Sequence, residues 1–478
     1  MKNQIDSFFM QEDTKLFDKY QRRVITNNSD ILFVVAGAGS GKTKTIIGKI
    51  KYLIEIMGYQ EKDILALSFT NETVNDLKNK ISYNVDVLTF HKLALKILKN
   101  QKYHFMIASD NLLEYITNEF FLSYLFVPYQ KLILSYFNID SIEESIINGK
   151  LDILKYQITS FIKKIKTNNY SINYIRKKIK KVRDDKEKIF LILSLKIYSI
   201  YEEELSSCNM IDFNDMITKA CNIVEKHNIN RKYRFIIIDE YQDISKIRFD
   251  LIKIIINKTN AHLMCVGDDF QSIYAFSGSN LSLFINFSKY FKEYQRIDIK
   301  NTYRNSYELI KIARKFILKN PYQLRKTIYA QFMKKYPVVL VYYSDILETY
   351  NKLINYLYLE DQKDIMVLSR YHKDLDKINK DDNIRYLTIH QAKGLEANNV
   401  ILLNMSDDYL GFPSKIKEMN CIKIFDNFNE DYPYAEERRL FYVALTRCKE
   451  KIYLLVPRKN PSIFIKEIKN KCVELIME

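Results

Sequence analysis

At 478 residues, 47% hydrophobic and 28% charged, the chain has length for about three cored domains and is too apolar for a disordered polymer. It lacks both a membrane-length apolar run and the basic-then-apolar start of a secretion signal, which points to an intracellular protein that uses no membrane. Its net charge of +16 points toward a polyanionic partner, although the chain is rich in Lys, Ile, Asn and Tyr throughout.

The six cysteines (Cys208, Cys221, Cys265, Cys421, Cys448, Cys472) show no CxxC spacing and read as reduced thiols. In chain order, the first signal is Phe17–Ile25, where Gln21 can present an amide to an adenine edge. The apolar run Ile31–Val35 then predicts a strand, and Ala36-Gly37-Ala38-Gly39-Ser40-Gly41 a turn of small residues. Lys42-Thr43 opens a helix with Ile46, Ile47, Ile50 and Leu53 on one side. Strand, glycine loop and helix are the context of a phosphate-binding P-loop. In that context Lys42 reaches the β- and γ-phosphates and Thr43 the Mg²⁺ ion.

Two further strands, Ile64–Ser68 and Val85–Thr89, end beside aromatics, Phe69 and Phe90-His91. In open parallel sheets the carboxyl ends of strands face the ligand, so Phe69, Thr89 and His91 are candidates for substrate contact, with core packing as the competing reading for the phenylalanines. From Lys92 to about Ser207 helical periodicity takes over, and 161–188 interleaves Lys clusters with Tyr and Phe. That basic surface suits a phosphate backbone and equally suits a solvated helix face.

The α/β pattern returns at Arg234–Ile238, an apolar run ending in Asp239-Glu240. After a P-loop, such a pair predicts Asp239 on the metal and Glu240 on the attacking water. The next strand, His262–Gly267, leads to Gln271, placed to sense a γ-phosphate, and to Tyr274 and Phe276, which offer stacking faces. A second set of strands follows from about Arg296: Ile297–Ile299, Val338–Tyr343, Ile365–Ser369, Tyr386–His390, Val400–Asn404 and Ile452–Val456. Helices are predicted over Tyr307–Lys319, Leu347–Tyr358 and Glu436–Ala444. This half has no P-loop but supplies Arg304 and Arg447, each suited to reach a γ-phosphate across a cleft.

Together the blocks YQRRVI, AGAGSGKT, LSFTNETVNDLKNKI, TFHKLA, IIIDEYQD, VGDDFQSIYAFSGS, NTYRN, TIHQAKGLEANNVI and EERRLFYVALTR resemble the superfamily 1 UvrD/Rep/PcrA-type DNA helicases. SIYAFSGS, KNPYQLRK, DYLGFPS and NPSIF make the likeness strongest to the motor portion of bacterial DNA helicase IV. The resemblance implies an α/β protein of two RecA-like domains with parallel sheets and ATP with Mg²⁺ bound between them. The boundaries expected are 1–91 plus 208–292 for the first domain, 92–207 for a helical insertion, and 293–478 for the second.

By position, the resemblance implies that Gln21 reads adenine, Tyr303 stacks on it, Lys44 lies near it and Glu396 approaches the ribose. Residues Ala36 to Thr43 would cradle the phosphates, with Thr43 and Asp239 on the metal. Gln271, Arg304 and Arg447 would meet the γ-phosphate, while Phe69, Thr89, His91, Tyr274, Phe276 and His390 would lie along single-stranded DNA. Base stacking on such rings contributes about 1–3 kcal/mol each and tolerates any sequence.

Three departures stand out. Lys44 replaces a usual Arg, and Phe276-Ser277 replace Trp-Arg. About eighty residues separate TYRN from TIHQAKG, so the large second-domain insertion, which restrains unwinding in the family, is missing or much reduced. The activity implied is an ATP-hydrolysing 3′→5′ translocase and helicase on single-stranded and tailed duplex DNA. It would work in the cytoplasm, at the nucleoid or a viral replication site, with single-strand-binding or repair proteins as candidate partners. The alternatives are an ATP-gated DNA-binding or protein-displacement factor with little strand separation, and an RNA motor.

Overall fold

Helix α1 (Lys19–Ile25) starts at Asp18, whose carboxylate accepts from the Tyr20 and Gln21 N–H groups while the Gln21 side chain accepts from the Asp18 N–H. This reciprocal cap satisfies donors that a helix start leaves free, and it fixes the Gln21 amide in place. The computed structural model describes residues 2–476 apart from 102, 142–148, 228–232, 417–421, 423–424 and 426–429; Cys421 is outside that set.

After α1 come β1 (Ile31–Ala36), α2 (Lys42–Glu55), β2 (Ile64–Ser68), β3 (Asp86–Thr89) and α3 (Phe90–Asn100). The helical stretch contains α4 (Lys150–Thr167) and α5 (Asp185–Ser207). Next are α6 (Phe213–Lys226), β4 (Phe235–Ile238), α7 (Lys246–Thr259), β5 (His262–Gly267) and β6 (Gln295–Ile299). The six strands form one parallel sheet in the order β3-β2-β4-β5-β1-β6.

Both faces of this sheet are covered, which is why its central strands read as unbroken apolar runs. On β1, Leu32, Val34 and Ala36 pack with Ile46, Ile50 and Leu53 of α2. The alternate residues Phe33 and Val35 enter the opposite core with α3, α6 and α7.

Two expected boundaries shift. Residues 295–299, assigned to the second domain, pair with β1 as the edge strand of the first sheet. A short strand with only Ile297 and Ile299 buried carries no local sign of which sheet it joins. At the other boundary, α3 is not part of the insertion, because Phe90, Leu93, Ala94, Ile97 and Leu98 belong to the first core. The insertion's own core runs from Ala108 to Leu205 and takes in Ile422 and Phe425 from far along the chain. Its basic run is largely a solvated face, with Lys163, Arg176, Lys177, Lys180, Lys181 and Arg183 exposed. Lys166 is the exception: it is buried among Glu202, Asp212 and Asp215 at 2.6–2.9 Å, which docks α4 onto α5 and α6.

The second half contains α8 (Tyr307–Ile317), β7 (Val338–Tyr343), α9 (Ile346–Leu359), β8 (Ile365–Ser369) and β9 (Arg385–Thr388). It ends with β10 (Ala397–Leu402), α10 (Ala435–Leu445), β11 (Cys448–Pro457) and β12 (Val473–Leu475). Its parallel sheet has the order β9-β8-β10-β11-β7-β12, and Val338 and Leu340 face one core while Val339 and Val341 face the other. The architecture is therefore α/β, with two parallel six-stranded sheets and a helical insertion in the first unit. Among the described residues no helix is long and apolar enough to cross a membrane.

Lys49 of α2 is buried with no carboxylate partner among the described residues, donating instead to the Ile25 carbonyl at 3.0 Å and to that of Asn27. Burial pushes its ammonium down to about 7, whereas an unfolded lysine titrates near about 10.4. Between those values the unfolded chain binds more protons than the folded one, so stability rises with pH. Below pH of about 7 both states are protonated and the cost of burying the charge is fully present. The melting temperature of the unaltered protein, measured against Lys49→Met, is expected to rise from pH 7 to pH 10; a pH-independent difference contradicts this.

Candidate nucleotide cleft and strand-binding face

The loop between β1 and α2 needs its glycines for two reasons. Gly39 and Gly41 have φ of 67° and 75°, in the left-handed region. A Cβ on Gly39 would lie 2.4 Å from Arg304 Cβ and 2.8 Å from Thr302 Oγ1, so the chain leaving β6 lies directly on the loop. Thr302 Oγ1 donates to the Ala38 carbonyl at 2.8 Å and the Tyr303 N–H to that of Gly39 at 2.9 Å. Ala36 and Ala38 are buried, and Gly37 faces Ile328 of the second half.

Lys42 Nζ pairs with Glu240 Oε1 at 3.0 Å. Burial opposes the charge on Lys42, but Glu240, Asp268 and Asp239 together raise its pKa above the usual lysine value. Burial likewise opposes ionisation of Glu240, yet Lys42 and Lys393 hold it below the usual carboxylate range. Asp239 goes the other way, pushed up by burial and by Glu240. Glu240 also has φ of 51°, a conformation a non-glycine residue keeps only when its surroundings impose it. Thr43 lies half-buried in the first turn of α2, and Lys44 is exposed with Nζ 5.0 Å from the Phe17 ring.

Facing them from the second half are two arginines. Arg304 Nε donates to Glu396 Oε2 at 2.6 Å, and Lys449 pairs with the same carboxylate at 2.8 Å. Arg447 is 1% exposed, has no carboxylate partner among the described residues, and donates to Gln271 Oε1 at 3.0 Å and to the Val443 and Leu395 carbonyls. Burial, and then repulsion from Arg304, push its guanidinium down to about 9. Gln271 completes a chain by donating to Asp268 Oδ2 at 2.6 Å.

A polyphosphate fits this donor set. Among the described residues, Ser40 Oγ is buried with no hydrogen-bond partner, and Arg447 makes no ion pair, with the Glu240 and Asp268 carboxylates acting on it only from a distance. Thr43 and Asp239 offer two hard oxygen donors, the number Mg²⁺ takes from a protein when phosphates and waters supply the rest. The base end is tighter. Gln21 is 1% exposed, and its amide donates to the Ser40 carbonyl while accepting from Asp18 N–H. One further donor and one acceptor remain on that amide. Tyr303 keeps an exposed ring whose hydroxyl donates to Asp18 Oδ2 at 2.7 Å, so Asp18 holds Gln21 and Tyr303 together.

The strand-face candidates fall into two groups. Tyr274, Phe276 and His390 form one, with ring centroids 5.3–6.3 Å apart and the Tyr274 hydroxyl donating to the His390 carbonyl. Phe276 is 56% exposed, a free stacking face. Phe69 and His91 belong to the other, beside Phe90 and Phe213. Phe90 is core, and the Thr89 hydroxyl caps α3 by accepting from the Lys92 N–H at 3.2 Å. Burial, then nearby cations, push both His91 and His390 down to about 4, so both rings are neutral at pH 7.

The description "UvrD/REP helicase N-terminal domain" matches residues 17–292, more than half of the chain. The chain belongs to the UvrD/REP helicase family. A viral superfamily 1 RNA helicase core domain also matches, over residues 204–456. This UvrD/REP family member is similar to DNA helicase IV of Escherichia coli (strain K12), 29% identical over 97% of this chain and 71% of that protein. It is also similar to ATP-dependent DNA helicase Rep of Buchnera aphidicola subsp. Baizongia pistaciae, 28% identical over 66% of this chain and 45% of that protein. To a probable DNA helicase of Mycoplasma pneumoniae it is 24% identical over 91% of this chain and 82% of that one. The chain thus spans less than half the length of the Buchnera Rep protein. It is an enzyme of the helicase type.

Several residues that hold this family member's cleft together carry no signal as single positions. Lys393 donates to Asp243 and to the Gln271 carbonyl, tying the TIHQAKGLE block to the first half. Lys326, inside KNPYQLRK, is buried between Asp268 and Asp269 with Nζ 3.6 Å from the Phe270 ring centre. Gln242 bonds both Glu240 and the Asp268 N–H, and Glu436 accepts from the Ala275 N–H at 3.1 Å. Their motif membership is visible in the sequence, whereas their partners, Glu240 apart, lie 26 to 161 residues away and are not.

Proposed function

We propose that the chain is an ATP-dependent 3′→5′ translocase and helicase acting on single-stranded and tailed duplex DNA. The observation that carries this reading is Arg447, a buried guanidinium with no ion pair among the described residues, bonded to Gln271 across from the Lys42–Glu240 pair. An isolated buried cation is costly, and an anion bound between the two halves relieves that cost. ATP supplies the phosphoanhydride whose cleavage drives the cycle. Lys42, Ser40 and the backbone of residues 36–41 bind its phosphates, Thr43 and Asp239 hold Mg²⁺, and Glu240 orients a water and takes its proton. Arg304 and Arg447 engage from the second half, and Gln271, three residues before Tyr274, links that engagement to the stacking turn. Gln21 and Tyr303 take the base, with Lys44 and Glu396 at the rim. Phe69, His91, Tyr274, Phe276 and His390 grip successive bases, with Thr89 holding the tip of β3 in shape.

One observation favours a second reading, an ATP-gated displacement factor. The stretches from α8 to β7 (318–337) and from β8 to β9 (370–384), all of them described residues, hold no inserted domain. Duplexes with a 3′ or a 5′ tail, alongside single strands capped with streptavidin, separate the readings. ATP-dependent strand separation from the 3′-tailed duplex alone is the expected result. Streptavidin release without strand separation supports displacement, and separation from the 5′ tail overturns the polarity. Matched RNA in place of DNA tests the nucleic acid, since none of these site residues is assigned to a 2′-hydroxyl.

A further inference from the structure

Arg248 lies in the first turn of α7, on no block that suggested a ligand. Its guanidinium carbon is 5.3 Å from the Phe69 ring centre and 5.9 Å from that of Phe90. Among the described residues it makes no ion pair and its side chain no hydrogen bond. Arg248 is half-buried, and burial pushes its guanidinium down to about 10, so it stays charged at pH 7. The nearby carboxylate of Asp243 is already taken by Lys393. Arg248 therefore presents an un-neutralised, planar cation whose orientation is set by the rings beneath it. Stacking of this kind gives up little conformational freedom when the guanidinium fork takes a phosphate.

The surroundings suit a nucleic-acid strand. Phe69 follows the carboxyl end of β2, and His91, one of the groups Arg248 pushes toward neutrality, lies in the first turn of α3. A half-buried aromatic beside an unpaired arginine and a neutral imidazole combines a stacking platform with a backbone contact.

We infer that Arg248 is a binding residue of this face, taking a backbone phosphate of single-stranded DNA whose neighbouring base lies against Phe69. The assignment rests on the proposed DNA-binding function. It is separable from simple packing, because a phosphate contact changes the salt dependence of binding while a ring cover does not. Each phosphate neutralised on a single strand contributes about 0.7 to the slope of log affinity against log salt.

Binding of a fluorescein-labelled oligothymidine should be followed by anisotropy over a salt series for the unaltered protein and for Arg248→Met, Arg248→Gln and Arg248→Lys. The two neutral variants are expected to bind more weakly with a slope shallower by about 0.7, while Arg248→Lys keeps the slope. A folded neutral variant with the slope of the unaltered protein overturns the assignment. So does an Arg248→Lys variant whose slope falls as far as a neutral one, which decides the matter even if neither neutral variant folds. No oligothymidine binding by the unaltered protein overturns the DNA-binding reading as well, so the two failures are distinguishable.

Discussion

Arg447→Met is expected to lower ATP turnover by about 10³-fold or more, the scale on which an arginine reaching a transferred phosphoryl group acts. The same substitution is expected to leave thermal stability within about 1 kcal/mol of the unaltered protein, or to raise it. Two effects oppose each other. Removing Arg447 leaves the Val443 and Leu395 carbonyls and Gln271 Oε1 without its N–H donors. It also removes a fully buried cation that has no carboxylate partner among the described residues and is repelled by Arg304. For a charge that deep, the cost of desolvation outweighs the lost hydrogen bonds. Arg447→Lys should not restore turnover, because an ammonium cannot reproduce the planar fork that spans Gln271 and the cleft. Steady-state ATP hydrolysis with a thermal melt checks both halves. Turnover within fivefold of normal, or a large loss of stability, would show that the guanidinium is structural.

Glu240→Gln is the second large effect, with turnover lowered by about 10²–10⁴-fold and nucleotide binding retained. Glutamine has the same size and leaves the left-handed backbone at this position as it is, so the change isolates the charge. Lys42 and Lys393 keep the Glu240 carboxylate ionised despite its burial, the state a proton acceptor requires. Lys42 keeps attraction from Asp268 and Asp239 after the substitution, so the P-loop does not lose its charge balance. Equilibrium binding of a fluorescent nucleotide beside single-turnover hydrolysis separates the two steps. Near-normal hydrolysis would remove Glu240 from the water-positioning role.

Much of this arrangement is legible in the sequence because local chemistry requires it. Residues Ile31–Thr43 combine a doubly buried strand, left-handed glycines and a helix start, and each of those leaves a mark in residue type. Phe235–Ile238 followed by two acids is equally local. What escapes is set by tertiary pairing. The apolar positions of β6 fit either sheet, and only hydrogen bonding to β1 decides between them. Lys326 reads as one more basic residue until Asp268 and Asp269 close on it. Arg248 is distinguished by having no ion-pair partner among the described residues, which no residue pattern reveals. Ile422 and Phe425 complete the insertion's core from more than two hundred residues away.

The most direct test is ATP hydrolysis with Mg²⁺, measured with and without single-stranded DNA. The proposed coupling of a two-sided cleft through Gln271 to Tyr274 and Phe276 predicts turnover that rises at least tenfold on adding oligothymidine, and that the Glu240→Gln protein lacks. Hydrolysis that ignores the oligonucleotide, or none under either condition, would contradict it.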